Sequence, residues 1–155
     1  MSEAFVDAAR QAGFPCNSDF NGANQEGVGY FHLNIKNGRR FGAADAYLKP
    51  AMTRQNLTVF TDAQAKKVVF EGKRSVAVEL RHKGRDRVLR ANREIILSGG
   101  AINSPQLLQL SGIGDRDILE NLGIRCLHEL PGVGKNLQEH VDACVLAPSV
   151  SLVVQ

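Results

Sequence analysis

The residues with the clearest chemical potential lie where an apolar run, residues 94–97, meets two glycines, Gly99 and Gly100. Ser104 can accept hydrogen bonds from the free amides of a new helix, and Pro105 suits the first helical position. A strand, a glycine turn and a capped helix together direct backbone amides and a helix dipole towards a phosphate-bearing cofactor. On spacing alone, this pattern is also typical of strand-to-helix turns that bind nothing.

The small residues of this turn, Gly99, Gly100 and Ala101, let the backbone come close to a ligand, so we take them as candidate cofactor contacts. The alternative is a tight turn with no ligand contact. The sequence holds no Gly-x-Gly-x-x-Gly, the fingerprint that binds a dinucleotide pyrophosphate after a first strand. Residues 27–29 and 132–134 each supply two glycines and lack the third.

A second set of candidates lies in a polar loop. The amide side chains of Asn21, Asn24 and Gln25 suit the recognition of a substrate hydroxyl, although Asn is equally common as a turn former. His140 is of the residue type that most often accepts a proton in alcohol oxidation. No His-Glu-x-x-His array, Cys pair with zinc spacing or Gly-x-Ser-x-Gly elbow is present, so we assign neither a metal site nor an acyl-transfer nucleophile.

Composition limits the classes of protein that this chain can represent. Its 155 residues, 43% of them hydrophobic, are enough for one domain with a packed core. The formal charge of +3 is small, and the densest basic cluster, residues 81–90, is typical of a solvated strand turn rather than a nucleic-acid surface. Three widely spaced cysteines favour reduced thiols and a cytoplasmic location. No apolar run is long enough to span a bilayer.

The first third of the chain mixes helix and loop patterns. Apolar residues at helical spacing predict a short amphipathic helix over residues 2–12. The polar stretch over residues 14–29 predicts a long loop. Asn37-Gly38 predicts a hairpin turn, and residues 43–48 a short helix that Pro50 ends.

The rest of the chain changes to strands and then helices. Segments with β-branched residues, bounded by Gly or Asp, predict an antiparallel β-meander inserted in a cofactor-binding α/β domain. The predicted strands are residues 56–61, 67–71, 75–81 and one or two over 87–97. Two helices are predicted next, over residues 104–110 and 115–122, the second capped by Asp115. Two further strands are predicted over residues 124–127 and 141–146.

Taken as a whole, the glycine turn and the helix after it resemble the second signature of the glucose–methanol–choline (GMC) oxidoreductases, which depend on FAD. Within that family the sequence is most similar to the bacterial choline and aliphatic-alcohol dehydrogenases. The matching residues are Gly100-Ala101, Ser104-Pro105, Leu107-Leu108 and Ser111-Gly112-Ile113-Gly114, with further similar runs at 19–22, 25–30, 37–40, 46–50 and 130–140.

The resemblance implies a fold of the α+β or α/β class: a partial FAD-binding domain with an antiparallel β-meander, plus part of a substrate domain. It implies that residues 1–52 form a partial substrate-side segment and residues 53–140 the middle of the FAD-binding domain. Residues 141–155 would begin the substrate-domain sheet or form an aberrant tail. It also implies that Ala65, where many members have Val, holds the adenine of FAD through its main chain.

The resemblance further implies hydride transfer from the carbon of choline or a primary alcohol to the flavin, while a His accepts the hydroxyl proton. The family's catalytic His belongs to a C-terminal segment with which nothing here aligns, so we assign no catalytic residue. We expect an internal piece of a longer enzyme that is inactive alone; a non-enzymatic truncated product or interaction module is the alternative. Many members pass electrons to a membrane quinone, which allows a peripheral inner-membrane association of the intact enzyme.

Overall fold

The computed structural model describes residues 2–144, and the chain divides into two compact units, Met1–Val59 and Phe60–Gln155. The first unit contains α1 (Ser2–Gln11), β1 (Ile35–Lys36), β2 (Arg39–Arg40), a π-helical turn (Ala44–Leu48) and α2 (Lys49–Ala51). The second contains β3 (Ala63–Glu71), β4 (Arg74–His82), β5 (Arg85–Arg90), α3 (Gly100–Leu110), β6 (Ile113–Gly114), α4 (Arg116–Asn121) and β7 (His128–Glu129). The predicted domains, residues 1–52, 53–140 and 141–155, are based on the organisation of the family, whereas these units are based on compactness. The predicted bounds therefore stay a prediction.

The predicted first helix and hairpin are confirmed in the first unit. Helix α1 is followed by Gly13, whose φ of 89° suits the left-handed turn after a helix. Strands β1 and β2 pair antiparallel across Asn37 and Gly38, with φ of 52° and 70°. Two consecutive positive φ values define the hairpin turn that Asn-Gly favours. Residues 14–29 contain neither helix nor strand, as predicted, beyond an isolated bridge between Cys16 and Val28.

The prediction that Pro50 ends the helix over residues 43–48 is wrong. The chain runs through a π-helical turn into α2, and Pro50 is the second residue of α2. The amide of Lys49 donates to the carbonyl of Ala44, five residues earlier. Because the first turn of an α-helix needs no amide donor, proline is tolerated where the π turn gives way to α2.

The predicted antiparallel β-meander is confirmed, with strand order β3-β4-β5. Strand β3 contains a bulge at Lys66, since Ala65 pairs with Leu80 and Lys67 pairs with the adjoining Glu79. The strands predicted over residues 56–61 and over the end of 87–97 are wrong. Their sequences suit a strand, but a strand needs a partner for its amides and carbonyls, and no described strand runs beside either segment.

The two helices of the second unit form, with one shifted boundary. Helix α3 begins at Gly100 rather than at Ser104, because the hydroxyl of Ser104 accepts from the amide of Gly99 across the first turn, at 2.9 Å. Pro105 therefore lies inside the helix. Helix α4 starts as predicted after Asp115, whose carboxylate accepts from the amide of Ile118 at 3.3 Å.

The strand predicted over residues 124–127 is also wrong. The amide of Ile124 donates to the carbonyl of Leu119 at 2.9 Å and closes the end of α4, so it cannot join a strand ladder. The strand comes later: β7 pairs parallel with β6, an element that the sequence did not predict. Of the strand predicted over residues 141–146, residues 141–144 are not a strand and the last two lie outside the described residues.

The buried apolar side chains of the described residues all belong to the second unit: Val68, Ala77, Leu80 and Leu119. Many large apolar side chains of both units are exposed, among them Phe31 at 79%, Tyr47 at 78% and Ile96 at 76%. Exposed apolar side chains of this size are of the kind that another segment or chain covers. Within residues 2–144, no helix is long and apolar enough to cross a membrane.

An ion cluster on the meander makes stability depend on pH. The pKa of Asp86 falls from its ordinary 3.8 to about 2, first because Arg81 donates to it at 2.9 Å and then because Lys66 donates at 3.0 Å. A lowered folded-state pKa gives stability that is complete above the unfolded value and is lost as pH falls through the folded value. We therefore expect the stabilisation by Asp86 to disappear between about pH 4 and pH 2.

The measurement is a carbon-13 NMR titration of the Asp86 carboxyl group. Arg81→Gln should move the midpoint up towards 3.8, because it removes the first donor. Lys73→Gln, at the turn between β3 and β4, is the matched control and should leave the midpoint unchanged. A wild-type midpoint near 3.8 would contradict the arrangement.

Candidate cofactor site

A cavity of about 500 Å³ lies between the first half of β3 and helix α3. The extended segment that leads to Gly99 forms its third side. The residues that line it are Ala63, Gln64, Ala65, Val78, Ile95, Ile96, Leu97, Ser98, Gly99, Asn103, Ser104, Gln106, Leu107 and Leu110. Two regions that are more than thirty positions apart in sequence thus enclose one space.

Two of the four predicted cofactor residues, Ala65 and Gly99, line this cavity together. The other two do not. Gly100 opens helix α3 without lining the cavity, and Ala101 borders a different hollow beside Lys135 and Leu137. The structure therefore brings the predicted adenine contact and the glycine turn into one site, and directs the first helical residues away from it.

The two glycines are required for different reasons. Gly100 has φ of 86°, a conformation that side chains with a Cβ rarely adopt, and open space around it. Gly99 has an ordinary backbone, but an added Cβ would lie 3.1 Å from Cβ of Asn103 and 3.3 Å from the amide nitrogen of Ser104. Gly99 thus allows the chain to pass close to the first turn of α3, which carries the positive end of the helix dipole.

The lining of the cavity combines apolar and amide side chains. Val78, Leu107 and Leu110 supply apolar walls, while Gln64 and Asn103 supply amide groups. Ligand sites of this size are usually mostly apolar, with a few polar groups that fix orientation. The amide groups of Gln64 and Asn103 can donate to or accept from a polar edge of a ligand.

The residue that connects the two walls is not among the sequence-predicted site residues. Ser111 follows α3, is 5% exposed, and its hydroxyl accepts from the amide of Val68 in β3 at 2.8 Å. The same hydroxyl donates to the carbonyl of Leu107, a cavity residue, at 2.5 Å. Ser111 is part of the signature run, but nothing in its spacing indicates a partner 43 residues away.

The candidate substrate residues lie in the exposed loop of the first unit. The backbone amide of Asn21 donates to the carboxylate of Asp19 at 2.9 Å, and the side chain of Asn24 accepts from the backbone amide of Glu26 at 3.1 Å. The side chain of Asn17 holds the loop by donating to the carbonyl of Asn24 at 2.7 Å. The bond to its side chain accounts for Asn24 as a turn former. The bond at Asn21 uses its backbone, so the exposed side chains of Asn21 and Gln25 both stay available to a ligand.

Other chemistries find no support in residues 2–144. No group of three or more His, Cys, Asp or Glu side chains there is placed to hold a metal ion. His140 is exposed, and its amide donates to the side chain of Glu139 at 2.9 Å. The cavity between β3 and α3, which Ala65 and Gly99 line, is therefore the candidate site.

Comparison with known proteins places this site in context. The family model described as GMC oxidoreductase matches residues 1–142. The mitochondrial choline dehydrogenase of Homo sapiens is 50% identical over 139 residues, which are 90% of this chain and 23% of that protein. The oxygen-dependent choline dehydrogenase of Photobacterium profundum is 46% identical over 142 residues, 92% of this chain and 25% of that protein.

Two solved structures are also similar to this chain. Pyridoxine 4-oxidase from Mesorbium loti matches with a TM-score of 0.76 and 36% identity over 84% of this chain and 26% of its own. An FAD-dependent oxidoreductase from Chaetomium thermophilum matches with a TM-score of 0.77 and 29% identity over 84% of this chain and 23% of its own. The fold is thus that of a segment of an FAD-dependent oxidoreductase.

The chain belongs to the GMC oxidoreductase family. It spans about a quarter of the length of the curated relatives that it matches. The predicted family, the predicted fold class and FAD as the family's cofactor are confirmed by these comparisons.

The positive φ of Gly100 can be tested by substitution. Gly100→Ala should lower the free energy of unfolding by about 1–2 kcal/mol, because alanine resists a φ of 86°. The matched control is Gly132→Ala, where an added Cβ meets nothing within 4 Å, with an expected change within about 0.5 kcal/mol. Urea unfolding of both variants measures the difference, and equal effects would contradict the assigned conformation.

Proposed function

We propose that this chain forms part of the FAD-binding domain of an oxidoreductase that acts on CH–OH donors, with choline as the substrate. The observation that carries the proposal is the cavity shared by Ala65 and Gly99, within a chain that belongs to the GMC family. The choline dehydrogenases at 46–50% identity support choline over other alcohols. When bound, FAD supplies the acceptor for the hydride.

In this proposal, the main chain at Ala65 holds the adenine of FAD. Strand β3 pairs with β4 along one edge, and no described strand pairs along its other edge. An unpaired strand edge presents amides and carbonyls that must be satisfied, and the hydrogen-bonding edge of a purine offers complementary groups. A main-chain contact also explains why a small Ala is acceptable where many family members have Val.

The loop of the first unit is proposed to meet the alcohol. Gln25 offers an amide for a hydroxyl, and the bonds of Asn17, Asn21 and Asn24 keep the loop in shape. Phe20 and Phe31 lie in the same unit with ring centroids 5.7 Å apart, and aromatic faces attract quaternary ammonium groups such as that of choline.

A non-enzymatic product or interaction module is the second candidate. The exposed apolar side chains, such as Phe31 and Ile96, favour it because they offer surface for association. Transfer of electrons to a membrane quinone and a cytoplasmic location stay predictions; the human and mouse relatives are described as mitochondrial.

A chimera tests the proposed activity in a complete enzyme. The matched segment of the Photobacterium profundum choline dehydrogenase is replaced by that of this chain. We expect bound FAD and choline-dependent dye reduction within about tenfold of the host, equivalent to about 1.4 kcal/mol of transition-state stabilisation. The flavin spectrum and steady-state kinetics measure both.

The unmodified host is the control for the chimera. A folded chimera without FAD would contradict the proposed cofactor role and favour the non-enzymatic candidate. A chimera that keeps FAD but oxidises another alcohol in place of choline would contradict choline as the substrate and leave the proposed cofactor role intact.

The substrate loop gives a separate test in the same chimera. Gln25→Ala should raise KM for choline by about three- to tenfold with a smaller change in kcat, because a lost ground-state hydrogen bond weakens binding. Gln55→Ala, another exposed glutamine of the first unit, is the matched control and should change neither constant. Identical kinetics for the two variants would remove Gln25 from the substrate contacts.

A further inference from the structure

The hydroxyl of Ser111 makes two hydrogen bonds in a buried position. It accepts from the amide of Val68 at 2.8 Å and donates to the carbonyl of Leu107 at 2.5 Å, and the residue is 5% exposed. Since the amide of Val68 reaches a side chain outside the sheet, it faces the outer edge of β3. A buried amide on that edge requires an acceptor, and Ser111 provides it.

These two bonds join the two walls of the cavity. Leu107 lines the cavity from α3, and Ala65 lines it from β3, three positions before Val68. Gly112, the next residue, lies close to the chain at Arg125, since an added Cβ would lie 2.6 Å from that carbonyl oxygen. Of the two hydroxyl bonds, the one to Leu107 stays within α3 and the one to Val68 reaches β3.

We propose that Ser111 is a positioning residue for the cofactor: it sets the separation of α3 and β3, and hence the width of the cavity that receives a heterocyclic ring of FAD. The inference rests on the proposed function. Ser111 does not line the cavity itself. It acts through Val68 and Leu107, so its effect on the cofactor is one of geometry.

Removal of the hydroxyl tests the proposal in the choline dehydrogenase chimera. Ser111→Ala should weaken FAD binding at least about tenfold and alter the visible circular dichroism of the flavin, since the amide of Val68 loses its acceptor. Ser111→Thr keeps the hydroxyl and should restore both. Ser111→Cys, whose sulfur is a weak acceptor, should have an FAD affinity between those of the alanine and threonine variants. It replaces the alanine variant in the test if that variant does not fold.

A stability control separates positioning from general destabilisation. Leu119 is fully buried at 0% exposure and packs beside Gly114, away from the cavity lining. Leu119→Ala should destabilise the fold yet leave the FAD Kd and the flavin spectrum unchanged at temperatures well below Tm. An equal loss of FAD affinity in Leu119→Ala, or no rescue by Ser111→Thr, would overturn the proposal.

Hydrogen exchange in the full 155-residue chain gives a readout that needs no flavin. The amide of Val68 should exchange faster in Ser111→Ala, while that of Gly99, which donates to Ser104, should keep its wild-type rate. A wild-type chimera that lacks FAD contradicts the proposed function. A wild-type chimera that binds FAD, together with an alanine variant of equal affinity, contradicts only the role of Ser111.

Discussion

The outer edge of β3 is the constraint on which the second unit depends. Inside the sheet, β4 satisfies the backbone of β3, but on the outer edge the amide of Val68 is buried and needs an acceptor. The hydroxyl of Ser111 meets that need and brings the end of α3 against the strand. Because a buried amide without an acceptor is costly, this contact is specific in a way that apolar packing alone is not.

The cavity lies between the same two elements. Ser111 contacts β3 at Val68 from the C-terminal end of α3, and the cavity lies beside Ala65 and Gly99. The absence of a side chain at Gly99 lets the incoming chain pass against that turn. Helix, strand and turn thus combine a buried hydrogen bond and a cavity of about 500 Å³ between the same elements.

Much of the local structure could be predicted from the sequence, because local rules determine it. The Asn37-Gly38 hairpin and the Asp115 cap depend on neighbouring residues and form as predicted. The errors concern elements that depend on distant partners. Residues 56–61 have a strand composition without a strand beside them, and the amide of Ile124 is used by α4.

The candidate site shows the same division. The signature and the family resemblance identified Gly99 and Ala65, which the structure joins in one cavity. They could not reveal that Gly100 and Ala101 turn away from it, since that depends on where α3 begins. Nor could they reveal the partner of Ser111, because a hydrogen bond across 43 residues leaves no mark in local spacing.

The bulge at Lys66 divides β3 into two halves with different structural roles. Residues before it face the cavity, and residues after it keep Val68 opposite Val78 within the packed sheet. An extra residue between the halves bends the strand locally and increases its twist. The direction of the half beside the cavity is therefore set apart from the half whose pairing with β4 belongs to the core.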